Sequence, residues 1–208
     1  SFYLDALVYR TDSDSKINDF NKASDIPIIN ALSDLEHPTQ IISDIFTIKE
    51  TFNKKNIRKI NIYYIGDANN IAISFAKIAR ILKLKFTFCC PKKYSKPLAK
   101  IINDKTGLSL TADTNEAFYN ADVIYTDVWT SMGMEKENAI RLKDFKKYQV
   151  TKILMEKTSN KSVFMHCLPA HIGEEVTSDV INSNKSIVYQ QAENKLYSAM
   201  AIIDFFLS

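Results

Sequence analysis

Glycine is scarce in this chain, at four residues in 208, against a usual share of about 7%. A sequence this poor in glycine keeps it where another residue is hard to fit, and has little room for glycine-rich nucleotide loops. Cysteine is limited to Cys89, Cys90 and Cys167, an odd count with no CxxC spacing. That argues against a disulfide framework or a zinc ribbon, and a reducing, cytoplasmic compartment is the expected address. No apolar run reaches the roughly 18–20 residues that a membrane span needs, and no signal peptide is visible. Neither sign of charge dominates: 27 Lys and Arg face 24 Asp and Glu, for a net +3. The lysines are scattered, so nucleic acid is not an expected partner.

What is present is an alternation. Short β-rich apolar runs at 4–9, 27–30, 59–65, 85–89, 122–126, 162–166 and 186–189 predict strands. Helical patterns fall at 13–23, 38–52, 70–82, 96–103, 115–119, within 136–157, and at 174–182 and 193–207. Strand and helix in turn predict an α/β fold, with a mostly parallel Rossmann-like sheet covered by helices on both faces. The chain opens inside a patterned segment and is expected to be the later part of a longer protein. A boundary near residue 50 would make residues 1–50 the end of a preceding α/β domain. Residues 51–208 would form a second, nearly complete domain, whose last helix returns toward the first.

In open parallel sheets ligands bind beyond the carboxyl ends of strands. NIYYI runs there into Gly66-Asp67-Ala68-Asn69-Asn70, DVIYT into Asp127-Val128-Trp129-Thr130-Ser131-Met132-Gly133, and SVFM into His166-Cys167-Leu168-Pro169. Polar residues at three such ends can meet in one crevice. GDANN has one glycine where a dinucleotide fingerprint needs three, so NAD is not expected. Asn69 and Asn70 also suit a helix N-cap. HPTQ sets His37 at a helix entrance and Gln40 one turn on; an imidazole and an amide there suit polarising a carbonyl and holding an NH2, although capping and packing explain them as well. His166 and Cys167 are neighbours on a strand and point to opposite faces, which is poor geometry for a Cys–His nucleophile pair. His171 beside Glu174 and Glu175 is too little to predict a metal.

In this order, HPTQ, GDANN, DVWTSMG, HCLPAH and QAENKLY resemble the aspartate/ornithine carbamoyltransferase family, on its ornithine side. The resemblance runs from about Tyr3 to the end. It implies transfer of the carbamoyl group of carbamoyl phosphate to the δ-amine of L-ornithine, giving citrulline and phosphate, in a homotrimer with no metal or organic cofactor. It also implies that Arg10, His37, Gln40 and Lys195 hold carbamoyl phosphate, with backbone carbonyls at Cys167 and Leu168 orienting its NH2. Asn70, Asp127, Ser131 and Met132 are implied for ornithine. Arg10, His37, Asp127 and Cys167 are the expected catalytic set. An Asp127–Cys167 acid–thiolate pair would bind the ammonium and help dispose of its proton, with no covalent intermediate.

Three departures accompany the resemblance. The family's Ser-Thr-Arg-Thr phosphate motif is absent from these residues. Lys195 stands where the family has Arg, which keeps the charge and loses the bidentate fork. Ile172 replaces a second Arg. The alternative reading is therefore a non-catalytic, carbamoyltransferase-like binding module.

Overall fold

The computed structural model describes residues 3–53, 55–102, 107–115, 118–131 and 133–208. The chain begins with β1 (Leu7–Arg10), α1 (Asp14–Ala23), β2 (Ile28–Leu32) and α2 (Pro38–Thr51). It continues through β3 (Asn61–Ile65), α3 (Asn70–Leu82), β4 (Lys85–Cys89), α4 (Lys96–Ala99), β5 (Leu108–Thr111) and β6 (Val123–Thr126). α5 (Asn138–Phe145), α6 (Lys152–Glu156), β7 (Val163–His166), α7 (Ser178–Ile181) and α8 (Val188–Leu207) complete it. β1 and β2 pair in parallel as a separate two-stranded sheet, and the other strands form a five-stranded sheet in the order β5-β4-β3-β6-β7. Every ladder in it is parallel.

Alternation along the strands builds two cores. Ile62, Tyr64, Phe86, Phe88, Val123, Tyr125 and Met165 face α2 and α3, where Ile41, Ile48, Ala72, Phe75 and Ala79 meet them. Ile65, Cys89, Ile124 and Phe164 face the opposite way, onto Trp129, Phe145, Leu154 and Val180. Successive side chains on a strand point to opposite faces, so runs apolar at nearly every position require cover on both sides. The strand order reverses between β3 and β6. In doubly wound sheets the crevice that receives ligands opens at that reversal. Gly66 takes φ +144° where the chain leaves β3 for this crevice, a conformation open to glycine and strained for other residues.

Helix ends follow local chemistry. Pro38 begins α2, where its missing N–H costs nothing. Asn69 caps α3, its Oδ1 accepting from the Ala72 amide at 3.2 Å. α8 lies along α2, with Asn194 donating to Thr47 Oγ1 at 3.0 Å and Gln190 to Glu50 at 2.8 Å.

Four sequence expectations are corrected. No strand spans 186–189: Ser186 makes an isolated bridge to Phe164, and α8 starts at Val188 because the following residues sustain a helical pattern. β5 was not expected, since LSLT is short and half polar and becomes a strand by pairing with β4 at the sheet edge. The helix expected at 174–182 shrinks to α7, because Val176 bridges to Val150 and Ile172. The helix expected at 115–119 is not seen at residues 115, 118 and 119; its remaining two lie outside the described residues. Among the described residues no helix is long and apolar enough to cross a membrane.

Candidate active site

A cleft of about 950 Å3 opens at the carboxyl ends of β3, β6 and β7 and faces the end of β1 and the start of α2. Arg10, His37, Gln40, Asn70, Asp127, Ser131, Cys167, Leu168 and Lys195 all line it. Every expected site residue is thus brought together, except Met132, which lies outside the described residues. Arg10 ends β1, His37 precedes α2, and Gln40 lies in the first turn of α2. Asn70 opens α3, Asp127 follows β6, Cys167 follows β7, and α8 carries Lys195.

Asp127 is held from two sides. Its Oδ2 accepts from Asn69 Nδ2 at 2.7 Å and its Oδ1 from Cys167 Sγ at 3.0 Å. Asn69 therefore caps a helix and aims the carboxylate at the same time. Asn70 donates one of its two amide N–H groups to the Ser33 carbonyl at 3.0 Å, which ties the α3 entrance to the segment before α2. Burial and the adjacent Asp127 carboxylate push the Cys167 thiol well above its ordinary range. The expected thiolate is therefore corrected: low dielectric and a neighbouring anion both disfavour it, and Cys167 stands as a thiol that donates to Asp127.

His37 is pushed down to about 4, first by burial and then by the positive charges of Lys195 and Arg10. Its imidazole is neutral near pH 7, with a ring N–H to offer a carbonyl or phosphoryl oxygen. The Lys195 ammonium donates to the Cys167 carbonyl at 3.0 Å. Arg10 and Lys195 thus give the α2 side of the cleft its cationic character, with the neutral His37 between them, while Asp127 gives the β6 side its anionic character and Asp67 is balanced by Arg141. A substrate pair with an anion at one end and an ammonium at the other suits that polarity.

His166 points away from the cleft, as strand alternation requires, and acts as a brace. Its Nδ1 accepts from the Leu168 amide at 2.9 Å, so the ring proton sits on Nε2, 3.1 Å from Glu175 Oε1. Leu168 has φ +56°, a left-handed conformation that costs a non-glycine residue about 1–3 kcal/mol. The brace holds the chain there, so that the backbone after β7 turns into the cleft. Ile172 is 56% exposed and does not line the cleft.

Sequence reading missed a clamp in the cleft wall and a carboxylate behind it. Arg141 is buried, paired with Asp67 and stacked over the Tyr94 ring at 4.6 Å; its Nε donates to the Trp129 carbonyl at 2.5 Å. This clamps the loop after β6 to the loop after β3. Asp44 is buried among Gln40, Tyr125 and Gln191. The one available signal was the acid four residues after Gln40 on the same helix. Asp127, His166 and Cys167 form one cluster of potential metal ligands, and His171, Glu174 and Glu175 another, each with ligand atoms within 4.8 Å of one another. In the first, hydrogen bonds already engage Asp127, Cys167 and both His166 ring nitrogens.

Fold and site together define a doubly wound α/β domain with a small-molecule cleft at its switch point, shaped for charged substrates of both signs. Residues 58–206 match the model of the aspartate/ornithine carbamoyltransferase Asp/Orn binding domain, and residues 1–50 that of the carbamoyl-P binding domain of the same family. The ornithine carbamoyltransferase of Syntrophus aciditrophicus is 42% identical, over 100% of this chain and 69% of its own length. That of Caldicellulosiruptor saccharolyticus is 43% identical, over 99% of this chain and 68% of its own. Among solved structures, ornithine carbamoyltransferase from Pyrococcus furiosus superposes with a TM-score of 0.88 at 38% identity, covering 97% of this chain and 66% of that one. The chain belongs to the aspartate/ornithine carbamoyltransferase family, and it spans about two thirds of the length of these relatives.

Proposed function

We propose that the complete gene product is an ornithine carbamoyltransferase. It transfers the carbamoyl group of carbamoyl phosphate to the δ-amine of L-ornithine and releases citrulline and phosphate. The observation that carries this reading is the single cleft that collects Asn70, Asp127, Ser131 and Cys167 on one side and Arg10, His37, Gln40 and Lys195 on the other. The names of the relatives point the same way.

The chemistry explains the polarity. An alkyl ammonium with a pKa near 10.4 must lose a proton to attack, which costs about 5 kcal/mol at pH 7. Asp127, fixed by Asn69 and Cys167, receives and orients the ammonium, whose proton passes to solvent. The free amine then attacks the carbamoyl carbon, the C–O bond to phosphate breaks from the tetrahedral centre, and the departing phosphate takes the second proton from the new C–N nitrogen. Arg10 and His37 offer N–H donors to the charge developing on oxygen, which is where preorganised donors act most strongly. Lys195 balances the phosphate. Gln40 and the carbonyls of Cys167 and Leu168 take the carbamoyl NH2; the Cys167 carbonyl has a second lone pair beyond the one Lys195 uses. Asn70, Ser131 and the Met132 backbone hold the carboxylate end of ornithine. Apart from the proton transfers, catalysis is positioning and charge stabilisation.

Residues 1–50 belong to the carbamoyl phosphate side and 51–208 to the ornithine side, with α8 returning to α2. The working form is a homotrimer in the cytoplasm; the three free, buried cysteines suit a reducing compartment. The second reading, a non-catalytic module, rests on Lys195 and Ile172 in place of arginine. Citrulline production by the complete gene product, with both substrates present, separates them. No citrulline from folded, ornithine-binding protein would leave only the module.

A further inference from the structure

The carboxylate of Asp44, one turn beyond Gln40 on α2, is completely buried and gathers donors from three elements. Its Oδ1 accepts from Gln40 Nε2 at 2.8 Å and from Gln191 Nε2 on α8 at 2.7 Å, and its Oδ2 accepts from the Tyr125 hydroxyl on β6 at 2.8 Å. An ionised carboxylate only accepts hydrogen bonds. Both glutamine amides must therefore turn their nitrogens inward. For Gln40, which lines the cleft, that leaves the amide oxygen as the end available to a ligand. Gln191 uses its own oxygen on the His166 amide at 3.0 Å. The same carboxylate thus ties the helix bearing Lys195 to the strand that leads into Cys167.

We propose that Asp44 is a positioning residue for the acyl phosphate site. By holding the nitrogen of Gln40, it presents the Gln40 oxygen as an acceptor that selects an acyl phosphate bearing an NH2 over one bearing a methyl group. The inference rests on the carbamoyl phosphate reading of the cleft. Burial alone pushes Asp44 up to about 6, even with three donors and Lys195 pulling it down. Near pH 7.5 it is ionised and demands donors on every side. Leaving such a group buried makes sense where its orientation of neighbours is used, since buried charge is costly unless fully hydrogen-bonded.

The test is calorimetric titration of the complete gene product with carbamoyl phosphate and with acetyl phosphate, which has a methyl in place of the NH2. Wild type is expected to prefer carbamoyl phosphate, with Gln40 supplying about tenfold of that preference, the worth of one hydrogen bond, and the Cys167 and Leu168 carbonyls the rest. Asp44→Leu and Gln40→Ala should each lower the ratio by about tenfold, and the double variant should be no worse than Gln40→Ala alone. Asp44→Asn should keep the preference, because its oxygen accepts both glutamine amides while its NH2 donates to the Tyr125 oxygen. The proposal is overturned if Asp44→Leu or Gln40→Ala retains the wild-type ratio, or if a folded Asp44→Asn loses it. The Gln40 and Asn variants decide the matter if Asp44→Leu does not fold. Wild type that binds neither acyl phosphate would instead sink the underlying functional reading, and this proposal with it.

Discussion

Replacing Arg141 with Met tests whether the clamp in the cleft wall works as its geometry implies. Met fills part of the space between Tyr94 and Phe145 but removes the partner of Asp67 and the donor to the Trp129 carbonyl. Asp67 is pushed up to about 6 by burial even with Arg141 beside it. A folded pKa above the unfolded value means that the folded state holds the extra proton. The stability Asp67 contributes is therefore full below about pH 4 and fades as pH rises through about 6. Without the guanidinium its pKa rises further, so the fade continues to higher pH. Breaking a buried ion pair costs about 3–5 kcal/mol in all, and the part carried by the carboxylate's charge, about 2 kcal/mol, is present near pH 7.5 and close to zero near pH 5.5. The lost Trp129 bond and packing add about 1–2 kcal/mol at either pH. Guanidinium melts of both proteins at the two pH values would measure it: total destabilisation of about 3–4 kcal/mol should fall to about 1–2 on acidification. An equal loss at both pH values would refute the argument, because Asp67 would then not be the group left unpaired.

Asp127→Asn should raise the KM for ornithine roughly 10- to 100-fold, the worth of a charge-assisted hydrogen bond, while leaving that for carbamoyl phosphate near wild type; steady-state kinetics with each substrate varied would detect the opposite pattern. His37, held down to about 4, binds fewer protons folded than unfolded between about pH 4 and 6.5, so the stability it contributes is complete above that window and is lost as pH falls through it. His37→Asn should flatten this part of an acid-denaturation curve, against the opposite trend of Asp44 and Asp67, both near 6; an unchanged curve would place the imidazole in water. Cys89 and Cys90 are pushed up to about 12 and Cys167 also upward, chiefly by burial, so Ellman's reagent near pH 8 should leave all of them unreacted in native protein and label all three on denaturation. A thiol that reacts at once in native protein would show that one of them is open to solvent.

Much of the sheet could be read from apolar runs, because strands buried on both faces carry little else. β5 was not legible: its four residues gain strand structure from the β4 edge, and nothing in LSLT announces it. The segment expected as a last strand fails for the opposite reason. One bridge to Phe164 is all it makes before helical periodicity takes over. The candidate site was legible as letters at strand ends, since polar residues interrupting buried runs are placed where a parallel sheet exposes its carboxyl ends. Its supporting layer was not. Asp44 meets Tyr125 across 81 positions and Gln191 across 147, and Arg141 meets Asp67 across 74. Each of those residues, taken alone, reads as an ordinary polar side chain on a helix, strand or loop.

The linear order of residues determined the alternation of strand and helix, the capping asparagine and the set of polar groups that could reach a common rim, because periodicity and local hydrogen bonding act over a few neighbouring residues. Folding decided which of those groups touch. That Cys167 donates to Asp127 as a thiol, that His166 braces a turn instead of lining the cleft, and that Asp44 meets Tyr125 and Gln191 all follow from strand order and burial. These depend on contacts between distant segments and on the low dielectric that close packing creates.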